Sequence, residues 1–215
     1  MSAQGTVTSN FAYQHLTSAI KFRDLSIELE KRHKGEEFSG FFSEIRSYVS
    51  GAILTATAAL EALINELYIY PRGQLYSQFS NFEQEFWGKN GKNGIERKPI
   101  LWKYQEALQM LGADKLDKSS EIYCNADTLI MLRNFYVHFK PTYEATPQKQ
   151  QDLSANLSGK FSTSPFVDNG ADFLAMKCMS SGCALWSVSV VQALVNEFFV
   201  RTNIEEKKIR AFVEL

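Results

Sequence analysis

Apolar residues recur every three or four positions along most of this chain, the spacing that lines one face of an α-helix. Between Asn10 and Lys34, the residues Phe11, Leu16, Ile20, Leu25, Ile27 and Leu29 stand among charges and predict a half-exposed helix. Ser9 or Asn10 can cap its start and Gly35 can end it. A second pattern runs through Phe41, Ile45, Tyr48, Val49, Ala52, Ala56, Ala59, Leu60, Leu63 and Leu67. Ser39 is its expected cap and Pro71 its stop, since a proline disfavours the α conformation of the residue before it. Its middle is crowded with Ser50, Gly51, Ala52, Ala56, Ala58 and Ala59, and small side chains let another helix come close. This helix is therefore expected at the centre of a bundle.

The segment 71–98 breaks the pattern, and Gly88 to Gly94 reads as a flexible basic loop. It lacks the residue order of a phosphate-cradling P-loop. A third helix is expected from about Pro99 to Leu111, stopping at Gly112. A fourth runs from about Ser120 to Phe139 and is shut off by Pro141. Residues 142–171 are polar and poorly patterned, with one short helix at 148–158. A final helix covers about Ala171 to Arg201, and 203–215 forms a charged tail. No run alternates with period two long enough for a sheet. The expected architecture is a single all-α domain spanning 1–215, with its core at about 10–202. It is a bundle of four to five long helices with short additional helices.

Composition narrows the class. Of 215 residues 45% are hydrophobic, enough for one sizeable core. The 23 Lys+Arg nearly balance 24 Asp+Glu, giving a formal net charge of −1, so any contact with nucleic acid has to be local. The three cysteines, at 124, 178 and 183, have neither disulfide-framework nor zinc spacing. Cys178 and Cys183 read as core or free thiols. The first residues have no basic and apolar leader pattern. The most apolar windows, 49–64 and 183–200, carry Glu61 and Glu197 among other polar residues, which fits buried helices better than membrane spans. A cytoplasmic protein without a membrane segment is the expectation.

The fourth helix holds the candidate chemistry. On a wheel at ~100° per residue, Ile122, Ala126, Leu129, Ile130 and Val137 share a face, with Arg133 in their midst. A buried guanidinium needs a partner, and the second helix offers Glu61 at the edge of its own apolar face, with Asn65 one turn on. Arg133 either pairs with Glu61 or runs its stem outward to solvent. His138 falls in the last turn, where the helix dipole favours a cation, and Asn134 precedes it by one turn on the same side. Such a histidine either closes the helix end or serves as a general acid–base on a phosphate ester. Ideal geometry sets Arg133 and His138 ~140° apart, so both reach one phosphate only if the arginine extends around or the helix end distorts.

Arg133-Asn134-Phe135-Tyr136-Val137-His138 resembles the R-N-x-x-x-H form of the Arg…His motif of the HEPN superfamily. The upstream stretch from Ala58 to Tyr68, with Glu61 and Asn65, is similar to that family's other helix, often written A-x-x-x-E-x-x-x-N. The two segments come in the family's order and cover roughly residues 41–140. The resemblance implies a helical bundle that forms a homodimer. It further implies a metal-independent ribonuclease, often a toxin or an antiviral defence effector working beside an antitoxin or defence-system protein. The alternative it implies is an inactive helical dimer used as a binding or regulatory module. Carried over, the catalytic positions are Arg133, Asn134 and His138, with Glu61 and Asn65 supporting them. His138 would be the general base or acid and Arg133 the phosphate clamp. No cofactor and no metal is called for, as His15, His33 and His138 lie on different segments. Lys140 and Tyr136 are the expected RNA-binding residues. Phe139 and Tyr143 could also stack on bases, and Lys89, Lys92, Arg97 and Lys98 add basic charge. Equally, the aromatics could be core and the lysines solvated loop.

Overall fold

Asn10 starts the first helix by accepting the N–H of Tyr13 at its Oδ1, 2.9 Å. The computed structural model describes residues 10–70, 73–140 and 146–204, and these are helical with no strand among them. The first helix, α1, covers Phe11–Arg32, and α2 covers Phe41–Ile69. Gly40, not Ser39, occupies the N-cap of α2, and no side chain caps it. At the other end Tyr70 is extended (φ −65°, ψ 110°), the conformation required of a residue before proline. A short α3, Phe82–Glu85, lies in the connection to α4, Ile100–Met110. Gly112 takes φ 74° just beyond α4, and the Ala113 N–H donates back to the Leu108 carbonyl at 2.9 Å, closing a Schellman turn.

The glycine-rich stretch after α3 is wound tightly rather than left open. Gly88 and Gly91 take φ of 75° and 69°, and the Glu96 N–H donates to the Phe86 carbonyl at 3.2 Å. A Cβ on Gly94 would run into that same carbonyl.

Helix α5 spans Glu121–Val137, capped by Ser120, whose hydroxyl accepts the Tyr123 N–H. It ends two residues before the expected Phe139. Helix α6, Gln148–Leu157, supplies the short helix expected in the long connection. The expected final helix is broken in two. Phe173–Lys177 forms one π turn, Cys178 to Ser180 leave the helical path, and α7 starts afresh at Ser181 and runs to Thr202. Ser180 re-initiates it by accepting the Cys183 N–H at 3.0 Å. Cys178 and Cys183 are buried free thiols on the two sides of this break. Burial pushes the Cys178 thiol up to about 12, which leaves it protonated and inert. The tail residues 205–215 lie outside the described residues.

Helices α2 and α7 form the centre, and each packs on α1, α4 and α5. Both are long and apolar enough to cross a bilayer, but half or more of their most apolar windows is buried inside the bundle. The α1–α2 contact is the most extensive, and within it Gly51 admits the ring of Phe22. A Cβ there would lie 2.9 Å from that ring. Every buried side-chain nitrogen and oxygen among the described residues has a hydrogen-bond partner. The Tyr104 hydroxyl donates to the Leu60 carbonyl and that of Tyr68 to the Lys103 carbonyl, each at 3.0 Å, which pins α4 against α2.

Two carboxylates tie helix ends across the bundle. Glu66 of α2 accepts the Ala12 N–H at the start of α1, 3.0 Å. Glu30 of α1 accepts the N–H of Ser181 at 2.6 Å and its hydroxyl at 2.5 Å, at the start of α7. Each satisfies donors that have no partner inside their own helix.

Candidate functional site

Glu61 and Asn65 are one turn apart on α2, so both face the same side. Across from them α4 presents Lys103, whose side chain is 0% exposed. Its ammonium donates to Asn65 Oδ1 at 2.9 Å and to Glu61 Oε1 at 3.4 Å. From α5, Arg133 approaches the other oxygen of the same carboxylate, Nη2 to Oε2 3.8 Å. Arg133 is 25% and Glu61 42% exposed, so the cluster runs from a dry interior at Lys103 to an edge that Glu61 and Arg133 share with solvent. Two cations share one carboxylate, so the cluster carries one positive charge in excess. An anion arriving there meets guanidinium N–H donors that Glu61 does not occupy.

Of the two arrangements open to Arg133 from the pattern, a partner in Glu61 or a stem run out to solvent, the structure has the first. Sequence reasoning passed over Lys103. The signal was present: Ile100, Tyr104 and Ala107 surround that position on the α4 wheel, and a lysine inside an apolar stripe demands a partner as an arginine does.

Asn134 and His138 sit on the outward side of α5, both exposed. His138 is not in the last turn. It is the C-cap, with φ −111° and ψ 30°, and its N–H donates to the Asn134 carbonyl at 3.0 Å. Arg133, by contrast, is drawn back toward α2. Five residues separate the two, ~140° around the helix, and Arg133 ends on Glu61 of α2 while His138 is exposed. Within one chain, therefore, Arg133 and His138 face different ways. Val137, expected in the apolar stripe, is 51% exposed beside them. The true inner face is Ala126, Thr128, Leu129 and Leu132. The wheel placed Val137 inward, but at this end of α5 the inward position is Tyr136, which leaves Val137 ~100° further round the helix.

Of the expected RNA-binding residues, Lys140 is exposed next to this face. Tyr136 is turned inward, and its hydroxyl donates to the Leu174 carbonyl at 2.8 Å. Burial raises its phenol well above the ordinary value, so it remains a neutral brace between α5 and the π turn. Phe139 is 54% exposed and meets Phe135 edge-on at 5.5 Å. Tyr143 lies outside the described residues. In the basic loop Arg97 pairs with Glu96 at 3.0 Å, and Lys98 lies over the Trp102 ring at 5.7 Å. Among the described residues no group of three His, Cys, Asp or Glu is placed to hold a metal ion.

No family model, no curated protein and no solved structure matches this chain.

Proposed function

We propose that this protein is a metal-independent endoribonuclease of the HEPN type, acting in the cytoplasm as a homodimer in antiviral defence or a toxin–antitoxin pair. The observation that carries this reading is the arrangement on α5. An exposed histidine and asparagine stand one turn apart, just beyond an arginine held by Glu61 and backed by Lys103 and Asn65. His138 takes the proton of a ribose 2′-OH as O2′ attacks phosphorus, or gives one to O5′ as the P–O5′ bond breaks. The products are a 2′,3′-cyclic phosphate and a 5′-hydroxyl. Arg133 meets the non-bridging oxygens and stabilises the charge they gain. Because Arg133 and His138 diverge within one chain, a second copy packed on the α5 outer face supplies the convergence, and exposed Val137 gives that face an apolar contact.

The test is cleavage of labelled RNA in excess EDTA by wild type, His138→Ala and Arg133→Ala. Cutting to cyclic-phosphate ends that drops at least a hundredfold in both variants is expected, with folding and dimerisation unchanged. Equal cutting by variants and wild type would end the reading.

One observation favours a second reading, a catalytically silent dimer serving as a binding module. The Arg133 guanidinium is already engaged by Glu61 on the α2 side. In that case wild type binds RNA or a partner protein and cuts nothing.

A further inference from the structure

A groove of about 400 Å³ opens on the other flank of α5, between it, the N-terminal half of α2 and the π turn. That volume lies within the range of small-ligand sites, about 300–1,000 Å³. One wall is aromatic: Phe135 and Phe139 stand edge to face, with Tyr136 beneath them. The opposite wall is a strip of α2 that carries Arg46 and the hydroxyls of Ser47 and Ser50.

The chemistry of that strip is specific. Ser47 donates to the Glu44 carbonyl and Ser50 to the Arg46 carbonyl, each at 2.8 Å. Their protons are committed, so their oxygens offer lone pairs to the groove as acceptors. Arg46 is exposed and forms no ion pair among the described residues. The groove thus offers a π surface, acceptors for an N–H edge and one cation. A planar base bearing amino or imino N–H groups and carrying a phosphate satisfies all three. Phe139, which lines the groove, directly follows His138 in the chain, so the groove adjoins the proposed reaction site.

We propose that this groove is a subsite for one unpaired nucleotide of the RNA, its base against Phe139 and its phosphate at Arg46. This rests on the reading that His138 acts on an RNA phosphodiester. The Tyr136–Leu174 hydrogen bond ties the base of the aromatic wall to the π turn.

The test uses fluorescence anisotropy with a labelled single-stranded 2′-O-methyl oligonucleotide, which cannot be cut by 2′-OH attack, and an abasic strand of equal length. Phe139→Leu should weaken the base-bearing strand about tenfold and leave the abasic strand unaffected, since stacking needs a base. Arg46→Gln should weaken both strands and flatten the slope of log affinity against log salt by about 0.7, one phosphate contact on a single strand. Both residues are exposed, and thermal melts check that the fold is kept. If Phe139→Leu weakens neither strand, or both equally, the subsite is refuted. Cleavage of unmodified RNA by the same proteins separates the two ideas. Cutting that needs His138 but ignores Phe139 and Arg46 sinks the groove alone. Base-dependent binding without any cutting sinks the ribonuclease and leaves a nucleotide groove.

Discussion

Lys103 and Glu61 do not contribute symmetrically, although they form one pair. Lys103 is fully dry, whereas Glu61 still touches solvent. Glu61→Gln leaves a buried ammonium and Arg133 facing an amide. Losing one partner of a fully buried pair costs about 3–5 kcal/mol. Solvent at Glu61 reduces the expected loss here to about 1–3 kcal/mol. Lys103→Met removes the desolvated charge and leaves Glu61 with Arg133 and water, so it should cost under about 1 kcal/mol. Urea unfolding of both variants checks this, and a larger loss in Lys103→Met would show the pair to be stabilising in itself. At this scale the sequence was half legible. Arg133 and Glu61 could be matched because each interrupts an apolar stripe, and Lys103 met the same criterion. Tyr136 could not be judged, since its partner is the Leu174 carbonyl, 38 residues away on a turn that no periodicity announces.

Among the elements, α2 is the one whose sequence most nearly specifies its surroundings. Its small-residue stripe predicted a close neighbour, and Gly51 shows how close. Gly51→Leu should lower stability by about 1–3 kcal/mol through overpacking against Phe22, despite the better helix propensity of leucine. Denaturant melts read this directly, and an unchanged midpoint would mean that the Phe22 ring yields freely. The carboxylates that tie α1 and α7 predict a pH response. Burial is the largest influence on Glu30 and Glu66 and raises both above the ordinary 4.5, outweighing the N–H bonds that pull the other way. The folded state therefore holds these protons more tightly than the unfolded chain. Their contribution is complete below about pH 4.5 and is lost as pH rises through the folded values. The melting temperature of wild type relative to the Glu30→Gln, Glu66→Gln double variant should fall between about pH 4.5 and 7. A flat difference would contradict the assignment. Neither tie was legible in the sequence, because a cap supplied across the bundle has no local spacing.

For the whole molecule, the proposed activity depends on a second copy, since one chain turns Arg133 and His138 apart. Val137→Asp sets a charge on the exposed apolar position beside His138 and should weaken self-association at least tenfold, as read by analytical ultracentrifugation. Cleavage should fall with it at dilute protein. A wild-type protein monomeric at all concentrations would remove the basis for a shared site. The amino-acid pattern alone determined that the described residues are helical and where most helices begin and end. Apolar period, caps, glycines and prolines act within a turn or two, so their effects are readable locally. Only the tertiary structure decided that the last helix breaks at Cys178 to Ser180, that Val137 faces out, and that Lys103 joins Glu61 and Asn65. It alone assembled the groove of Arg46 and Phe139. Each of these depends on how far neighbouring helices extend and which carbonyls and charges they bring, and those are distances through space that spacing along the chain does not encode.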